Sequence, residues 1–334
     1  MAQYKDFIPE NVALPNTRRI GIYNSKGNRV GQIPLGSLTA PVKSMKLYSF
    51  GALSDAHIAY TSAEVDLQRA FSYLNETENV DFTCICGDLT ENGTEEELQW
   101  YRSIVNSHSP DTPVYAIAGN HERYSTVSSS YLETYTGKPL YYSFTRGNDV
   151  FLMCGCYSWA PDGMFTQAYL QWIYETLEAN RNKRCFLFEH VFPWGDSGNP
   201  REAYVYDLFS GTKGGIFQSL LRHYKNTVLF HGHSHLKYYL QSVDEKANYN
   251  DDLGYRSVHI PSVFSPRDII NGAIADSSKD SEGYVVDVYE SGIHLRGRDF
   301  VKGEFLPIAS YWIDTTLQTI PAGTYTDSTG TIKP

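Results

Sequence analysis

Two hydrophobic periods alternate along the chain between Met45 and His235. Apolar runs with a period of two residues are typical of strands, and apolar residues three to four positions apart are typical of amphipathic helices. The predicted strands are KLYSFGALS, VDFTCICGD, TPVYAIAGN, RCFLFEH and TVLFHGH, and residues 140–157 add two more, joined at Arg146–Gly147–Asn148. The predicted helices are SAEVDLQRAFSYLNET, TEEELQWYRSIVNSH, TQAYLQWIYETLEANRNK and GGIFQSLLRHYK. This alternation predicts an α/β fold.

Beyond His235 the pattern changes to strands that are separated by turns. The apolar runs there are KYYLQSV, YRSVHIPSV, GYVVDVYE and GIHLRGRDF. Strand–helix units that are followed by hairpins indicate two sheets flanked by helices. We therefore expect residues 46–310 to form one domain.

The two ends of the chain differ from this middle part. Residues 1–45 contain four prolines and a hairpin-like stretch, RRIGIYNSKGNRVGQIPL, in which Lys26–Gly27 supplies the turn. We interpret this segment as an N-terminal arm with a short β hairpin, through which a protein partner could bind in an assembly. Residues 311–334 are rich in Thr, Gly and Pro, which predicts an irregular C-terminal tail.

Composition and charge exclude several partners. The chain is 41% hydrophobic and 20% charged, as in ordinary soluble proteins, and its formal net charge is −10. A duplex nucleic acid or an anionic membrane would require a basic face, so neither is an expected partner. No stretch approaches the roughly 20 apolar residues that span a bilayer. The N-terminus, MAQYKDFIPE, has no apolar signal-peptide core, so the expected location is the cytoplasm or a virion.

The cysteines agree with a reducing compartment. Their number is odd, five, and Cys84, Cys86, Cys154 and Cys156 form Cys-x-Cys pairs within apolar runs. At a period of two, both thiols of a pair face the same side of a strand, where we expect them to be buried as small apolar residues.

Residues of metal-ligating type stand at the ends of the predicted strands. The segments are Ser54–Asp55–Ala56–His57, Gly87–Asp88, Gly119–Asn120–His121–Glu122, Glu189–His190 and Gly232–His233–Ser234–His235. In an open α/β sheet the carboxyl ends of the strands open onto the binding crevice, so these loops can converge. Imidazole, carboxylate and amide donors suit Mn, Fe, Zn or Co, and no thiolate is present in the segments.

In order and spacing these segments resemble the calcineurin-like metallophosphoesterase family, whose pattern is Asp-x-His, Gly-Asp, Gly-Asn-His-Asp/Glu, His and Gly-His-x-His. The resemblance covers about residues 46–240. It implies a four-layer α-β-β-α sandwich of two mixed sheets and a pair of transition-metal ions, divalent or trivalent, such as Mn, Fe or Zn. By motif position, one ion would be held by Asp55, His57, Asp88 and His235. The other would be held by Asp88, Asn120, His190 and His233, so that Asp88 bridges the two ions.

Departures from the family pattern indicate which branch of the superfamily the chain resembles. Protein phosphatases of this superfamily carry Gly-Asp-x-Val-Asp-Arg-Gly, whereas residues 87–93 read GDLTENG and lack that arginine. Purple acid phosphatases have a tyrosine ligand three residues after the Gly-Asp carboxylate, and this chain has Glu91 there. GDLTENG and PVYAIAGNHE are most similar to the branch that contains cyclic-nucleotide and other small phosphodiesterases.

The resemblance implies a dinuclear-metal-dependent phosphoester hydrolase, either a phosphodiesterase or a phosphomonoesterase, and favours a phosphodiesterase that acts on a small substrate. A hydroxide shared by the two metals would attack phosphorus in line with the leaving oxygen. His121 would serve as the catalytic proton donor or as a phosphate ligand. The candidate substrate contacts near the ligand segments are Arg123, Tyr124, Trp194, Arg201 and Tyr204.

Other functions remain open at the level of sequence. One alternative is a structural or phage-tail-associated protein that carries a phosphoesterase-like domain. Another is a nuclease of the same superfamily, against which the lack of a basic stripe counts.

Overall fold

The computed structural model describes residues 19–23, 29–34, 45–123, 129–155, 165–191, 212–238, 249–251, 253–270, 273–276 and 280–333. None of the helices in these ranges combines the length and the apolar character that crossing a membrane requires.

The described residues form a strand-rich α/β structure. The α-helices are α1 (Thr61–Ser72), α2 (Glu95–His108), α3 (Ser129–Thr136), α4 (Gln167–Ala179) and α5 (Thr212–His223). The strands are β1 (Arg19–Tyr23), β2 (Arg29–Pro34), β3 (Lys46–Leu53), β4 (Phe82–Cys86), β5 (Val114–Ile117), β6 (Tyr141–Arg146), β7 (Asp149–Cys154), β8 (Cys185–Glu189), β9 (Thr227–His231), β10 (Tyr249–Asn250), β11 (Arg256–His259), β12 (Arg267–Ile270), β13 (Ala273–Asp276), β14 (Glu282–Tyr289), β15 (Gly292–Asp299) and β16 (Glu304–Asp314).

Most of these strands belong to two six-stranded mixed sheets. The first sheet has the order β16-β15-β14-β3-β4-β5, and the second has the order β10-β11-β9-β8-β7-β6. Parallel pairing joins β3, β4 and β5 in the first sheet and β7, β8, β9 and β11 in the second. Because parallel neighbours end at the same edge, the loops that follow these strands collect at one edge of each sheet.

The sheets pack face to face, and helices cover their outer surfaces. One apolar cluster combines side chains from both sheets and forms the centre of the molecule. A second cluster places α1 and α2 against the first sheet, and a third places α4 and α5 against the second. The expected four-layer α-β-β-α sandwich is therefore confirmed.

Aromatic rings fill the space between the two sheets. Phe50 of β3 is 0% exposed, and its ring stacks on Phe82 of β4 at a centroid distance of 5.4 Å. Its edge contacts reach Phe151 and Phe186 of the second sheet, at 5.4 and 5.5 Å. These contacts lock the separation and the relative position of the sheets, because a close-packed interior resists sliding.

Strand β4 is buried on both faces, which explains the continuous apolar run in its sequence. Cys84 and Cys86 point with Phe82 into the central cluster, whereas Ile85 packs beneath the helices on the other face. A strand covered on both faces has no polar side to alternate with. The prediction that both thiols face one side and are buried is correct for this pair.

The start of α2 is determined locally. The Thr94 hydroxyl accepts the Glu97 N–H at 3.2 Å, and the Glu97 carboxylate accepts the Thr94 N–H at 3.3 Å. This reciprocal capping satisfies two amide groups that the first helical turn leaves unpaired. The helix begins immediately after the loop that carries Asp88, so the cap also anchors that loop.

The terminal segments contact the sandwich. β1 and β2 pair as an antiparallel hairpin, and Cα atoms of β2 approach those of the edge strand β16 within 8 Å. β16 pairs with β15 through Gly292 and Asp314, so the strand runs beyond residue 311, where the tail was expected to begin. Residues 315–333 contain no helix or strand, yet Ile320, Tyr325 and Ile332 are buried against the outer helices of the second sheet.

We expect Phe50→Ala to destabilise the fold by about 3–5 kcal/mol, because the change leaves a cavity in the interface between the sheets. The measurement is chemical denaturation of the variant and the parent protein. Val65→Ala is the matched control, since Val65 is 43% exposed on α1 and its truncation should change stability by less than about 0.5 kcal/mol. Equal effects of the two changes would show that this interface does not carry the packing energy.

Candidate metal centre

The loops after five strands meet where the two sheets adjoin. Asp55 and His57 follow β3, Asp88 follows β4, and Asn120 and His121 follow β5, all in the first sheet. His190 follows β8, and His233 and His235 follow β9, in the second sheet. The structure brings all the predicted metal ligands together, because the central packing holds these two edges side by side.

One group of possible ligands consists of Asp55, His57, Asp88 and His235. A ligand atom from each lies within 4.8 Å of the others, and all four residues are buried. His235 Nε2 is 3.0 Å from Asp55 Oδ1 and 3.0 Å from His57 Nε2. His57 Nε2 is 3.7 Å from Asp88 Oδ2. Nitrogen and oxygen atoms therefore converge on one small volume.

A second group lies beside the first and shares Asp88 with it. Its titratable members are Asp88, His190 and His233. His190 Nε2 is 3.1 Å from Asp88 Oδ2 and 3.1 Å from the amide oxygen of Asn120. The atom Asp88 Oδ2 thus faces both groups, which is the arrangement that a bridging carboxylate requires.

Each aspartate has one oxygen bonded to the scaffold and one directed to the site. Asp55 Oδ2 accepts hydrogen bonds from Ser54 Oγ at 2.5 Å and from the His233 N–H at 3.1 Å. Asp88 Oδ1 accepts the His121 N–H at 2.9 Å. Asp55 Oδ1 and Asp88 Oδ2 are buried and form no hydrogen bond of good geometry, although each lies about 3 Å from an imidazole nitrogen. Buried oxygens in this state favour a bound cation.

Two histidines are oriented from behind. His190 Nδ1 lies 2.6 Å from the Cys86 carbonyl oxygen, and His57 Nδ1 lies 2.8 Å from Glu91 Oε2. An N–H that donates to such an acceptor occupies Nδ1, so the lone pair on Nε2 faces the site. The contact between His57 Nε2 and His235 Nε2 then opposes two lone pairs unless a proton or a metal ion lies between them. The donor types and their directions fit a pair of transition-metal ions.

The backbone is strained at the ligand positions. Five predicted ligands have positive φ values although none is glycine: Asp55 (57°), His57 (46°), Asp88 (48°), His233 (70°) and His235 (58°). Such conformations cost about 1–3 kcal/mol each and persist where the surroundings impose them. Here the Asp55 N–H donates to the Gly87 carbonyl and the His57 N–H donates to the Asp88 carbonyl, at 3.1 and 3.0 Å. The first two ligand loops therefore hold each other in shape.

Gly119 illustrates how little space surrounds the shared carboxylate. A Cβ atom at this position would overlap the carboxylate and the backbone nitrogen of Asp88. The Gly-Asn-His sequence therefore needs glycine because the chain passes directly against Asp88.

Opposite charges shift the pKa values of the two aspartates. Burial alone would raise the pKa of Asp55, but the imidazoles of His235 and His190 hold it well below its usual value. Burial also opposes the shift of Asp88, whose pKa is lowered mainly by His190 and His57. Both carboxylates are therefore ionised at neutral pH and present negative charge to the site.

The pKa values of the site histidines are shifted in two directions. Burial opposes protonation of His57, but Asp55 and Glu91 outweigh it and raise the pKa to about 10. His190 behaves similarly against Asp88 and Asp55, with a pKa of about 9. Burial lowers the pKa of His233 to about 3, and its neighbour His190 acts in the same direction. Without metal ions, protons on His57 and His190 supply the positive charge that the aspartates need.

His121 lies at the mouth of the site, in a 3₁₀ turn that spans His121–Arg123. Its Nδ1 is 2.6 Å from the Glu91 carbonyl oxygen, and its Nε2 is 3.9 Å from Asp88 Oδ2. The side chain is 18% exposed, and its Nε2 lies on the side of the ring next to the shared carboxylate. Arg123 is exposed in the same turn. The other predicted substrate contacts, Tyr124, Trp194, Arg201 and Tyr204, lie outside the described residues.

Two supporting carboxylates complete the site. Glu122 accepts the Thr90 N–H and hydroxyl with one oxygen and the Gly119 N–H with the other, so it ties the loops after β4 and β5 together. Burial, followed by the charge of Asp88, raises the pKa of Glu122 to about 7. The contact between Glu91 and His57 was not predicted from the sequence. The only signal for it is an acidic residue close to a ligand in the GDLTENG segment.

Comparison with known proteins identifies the family of the chain and other structures with its fold. Residues 48–237 match the family model described as calcineurin-like phosphoesterase. A purple acid phosphatase from yellow lupin (Lupinus luteus) superposes with a TM-score of 0.56 at 16% identity, covering 92% of this chain and 62% of the lupin chain. GAP50 of Plasmodium, the anchor in its inner membrane complex, superposes with a TM-score of 0.51 at 13% identity, covering 86% of this chain and 93% of GAP50. No curated protein matches the chain by sequence.

The histidine pKa values predict how the stability of the metal-free protein depends on pH. The raised values of His57 and His190 give stability that is complete below their ordinary value of 6.5 and is lost as the pH rises through about 9–10. The lowered values of His233 and His259, about 3 and 4, give stability that is lost as the pH falls below 6.5. We therefore expect maximal stability of the chelator-treated protein near pH 6.5, measured by chemical denaturation across the pH range.

His57→Asn provides the control for this profile. It removes one of the groups that hold an extra proton, so the decrease in stability on the alkaline side should become less steep. An unchanged alkaline slope would contradict the assignment of a raised pKa to His57.

Proposed function

Because the chain belongs to the calcineurin-like phosphoesterase family, we propose that it hydrolyses a small phosphoester, preferentially a diester, at the site between the two sheets. The observation that supports this most directly is the position of Asp88 Oδ2, which faces both ligand groups while Asp88 Oδ1 is bonded to the scaffold. Such an arrangement suits a pair of ions with one shared carboxylate.

Each ion would be held by residues from both sheets. Asp55, His57 and His235 would hold one ion, and Asn120, His190 and His233 would hold the other, with Asp88 contacting both. When bound, the ions would supply a water-derived nucleophile at neutral pH and compensate the negative charge of the phosphate. All the ligand residues except His233 are buried, and five of them are held in left-handed backbone conformations, so little rearrangement is needed on binding.

His121 would act on the leaving group. Its Nδ1–H is committed to the Glu91 carbonyl oxygen, which leaves Nε2 as the atom that faces the substrate. In the protonated state Nε2–H can donate to the leaving oxygen as negative charge develops there. Its partial exposure at the mouth of the site fits contact with an incoming ester.

The metal content tests the proposal directly. We expect purified protein to contain close to two transition-metal ions per chain, measured by elemental analysis. After loading with Mn, Zn, Fe or Co, the protein should turn over aryl phosphodiesters, and aryl phosphomonoesters more slowly. Asp88→Asn should lower turnover by about 100-fold or more, the scale produced by loss of a charge-stabilising group. Metal-loaded protein without turnover on either ester class would contradict the enzymatic function.

Truncation of His121 separates chemistry from metal binding. We expect His121→Ala to retain both ions and to slow turnover by about 100-fold or more for esters with poor leaving groups. Esters with a good leaving group, such as p-nitrophenol, should be affected less because they need less help from an acid. If the variant loses its metal ions, His121 is a ligand and the proposed role is wrong.

A structural role is the second candidate. The fold also occurs in GAP50, an anchor protein, and here a β hairpin lies outside both sheets, near β16. Residues 1–45 would then be the place where a protein partner binds. Removal of this segment should leave esterase activity intact, whereas a folded and inactive truncation would mean that the arm helps to build the site.

Activity on small diesters that does not depend on salt would argue against a nuclease as the main function.

A further inference from the structure

Glu91 contacts two histidines of the site with two different parts of the residue. Its carboxylate oxygen Oε2 lies 2.8 Å from His57 Nδ1. Its main-chain carbonyl oxygen lies 2.6 Å from His121 Nδ1. Both contacts are made to the ring nitrogen that points away from the centre of the site, so one residue supports both imidazoles from behind.

The loop that carries Glu91 is held on both sides. Before it, the N–H and the hydroxyl of Thr90 both donate to Glu122 Oε1 at 2.9 Å. After it, the N–H and the side-chain amide of Asn92 donate to the two oxygens of Glu97, at 2.9 and 2.7 Å. Glu97 belongs to the cap of α2, so the loop is fixed to a helix and to the neighbouring ligand loop. The carbonyl and the side chain of Glu91 therefore start from a defined position.

The carboxylate of Glu91 favours His57 over His121. It is 2.8 Å from His57 Nδ1 and 3.9 Å from His121 Nδ1. Its side chain is 31% exposed, whereas that of His57 is 3% exposed, so the carboxylate closes the outer side of a buried ring. A carboxylate that accepts the second N–H of a ligating histidine fixes the tautomer and makes the other nitrogen a stronger donor.

We propose that Glu91 is a positioning residue with two separable effects. Its side chain orients His57 for the ion held with Asp55, Asp88 and His235, and its main-chain carbonyl orients His121 for the leaving group. This inference rests on the proposed function, because it assigns a purpose to Nε2 of each ring. It follows that a change in the side chain of Glu91 should weaken the binding of one ion without disturbing the action of His121.

The distances favour a hydrogen bond over a third metal ion at this place. His57, Glu91 and His121 do approach closely enough to form a possible ligand group. However, His57 Nδ1 lies 2.8 Å from Glu91 Oε2, the length of an N–H hydrogen bond to a carboxylate, and a nitrogen that carries this hydrogen has no lone pair to give to a metal ion. In addition, His121 Nδ1 already has the Glu91 carbonyl as its partner.

The experiment is calorimetric titration of chelator-treated protein with Mn²⁺. We expect two equivalents to bind to the parent protein. In Glu91→Ala, one equivalent should bind about 10–100-fold more weakly and the other should keep its affinity. Glu91→Gln should lie between the two proteins, because its amide oxygen can still accept the His57 N–H but carries no charge. Glu96→Ala is the matched control, since Glu96 is an exposed glutamate at the start of α2, the helix that follows the Glu91 loop.

A kinetic comparison tests the second effect. At Mn²⁺ concentrations that saturate both sites, the ratio of rates for good and poor leaving groups should be the same in Glu91→Ala and in the parent protein. If both equivalents of Mn²⁺ bind to Glu91→Ala with unchanged affinity, the inference is wrong and the proposed function stands. The same conclusion follows if the parent protein binds a third equivalent that the variant does not bind. A changed leaving-group ratio would also overturn it. A parent protein that binds none of Mn²⁺, Zn²⁺, Fe²⁺ and Co²⁺ would overturn both the inference and the proposed function.

Discussion

The site depends on negative charge that is buried where the two sheets meet. Asp55 and Asp88 each present an oxygen that makes no good hydrogen bond within the protein, and both carboxylates are ionised at neutral pH. An uncompensated buried charge is expensive, so positive charge must lie between the aspartates in every state of the protein. Protons on His57 and His190 can serve this purpose, and a pair of metal ions would serve it better because several donor atoms already converge there.

The sandwich provides the rigidity that this arrangement requires. Three of the five ligand loops come from one sheet and two from the other, so their separation is set by how the sheets pack. Aromatic rings of β3 and β4 interlock with those of β7 and β8 and prevent the sheets from sliding. Hydrogen bonds between the ligand loops, from the Asp55 and His57 N–H groups to the loop after β4, hold the positive φ values at these ligand positions.

Hydrogen-bond acceptors behind the ligands orient the ligating side chains and the loops that carry them. Glu122 joins the loops after β4 and β5, Glu91 reaches His57, and the Cys86 carbonyl reaches His190. Each contact decides which nitrogen or which loop faces the centre. Unlike the ligands, Glu91 and Glu122 do not point towards the carboxylate of Asp88. Their contribution is to orient other groups.

The sequence alone determined the layer architecture and the identity of the clustered residues, because both depend on local regularities. Periods of two and of three to four residues distinguish strands from helices, and ligand-type residues such as Asp88 and His190 stand at the carboxyl ends of predicted strands, where an α/β sheet opens onto its binding crevice. The end of β16 at Asp314 was not evident, because pairing with β15 extends that strand against the local composition. Only the tertiary structure decided that Glu91 turns its carboxylate to His57 and its carbonyl to His121. The choice depends on hydrogen bonds to Glu122 and Glu97 that fix the loop from outside, and a linear pattern carries no record of such contacts.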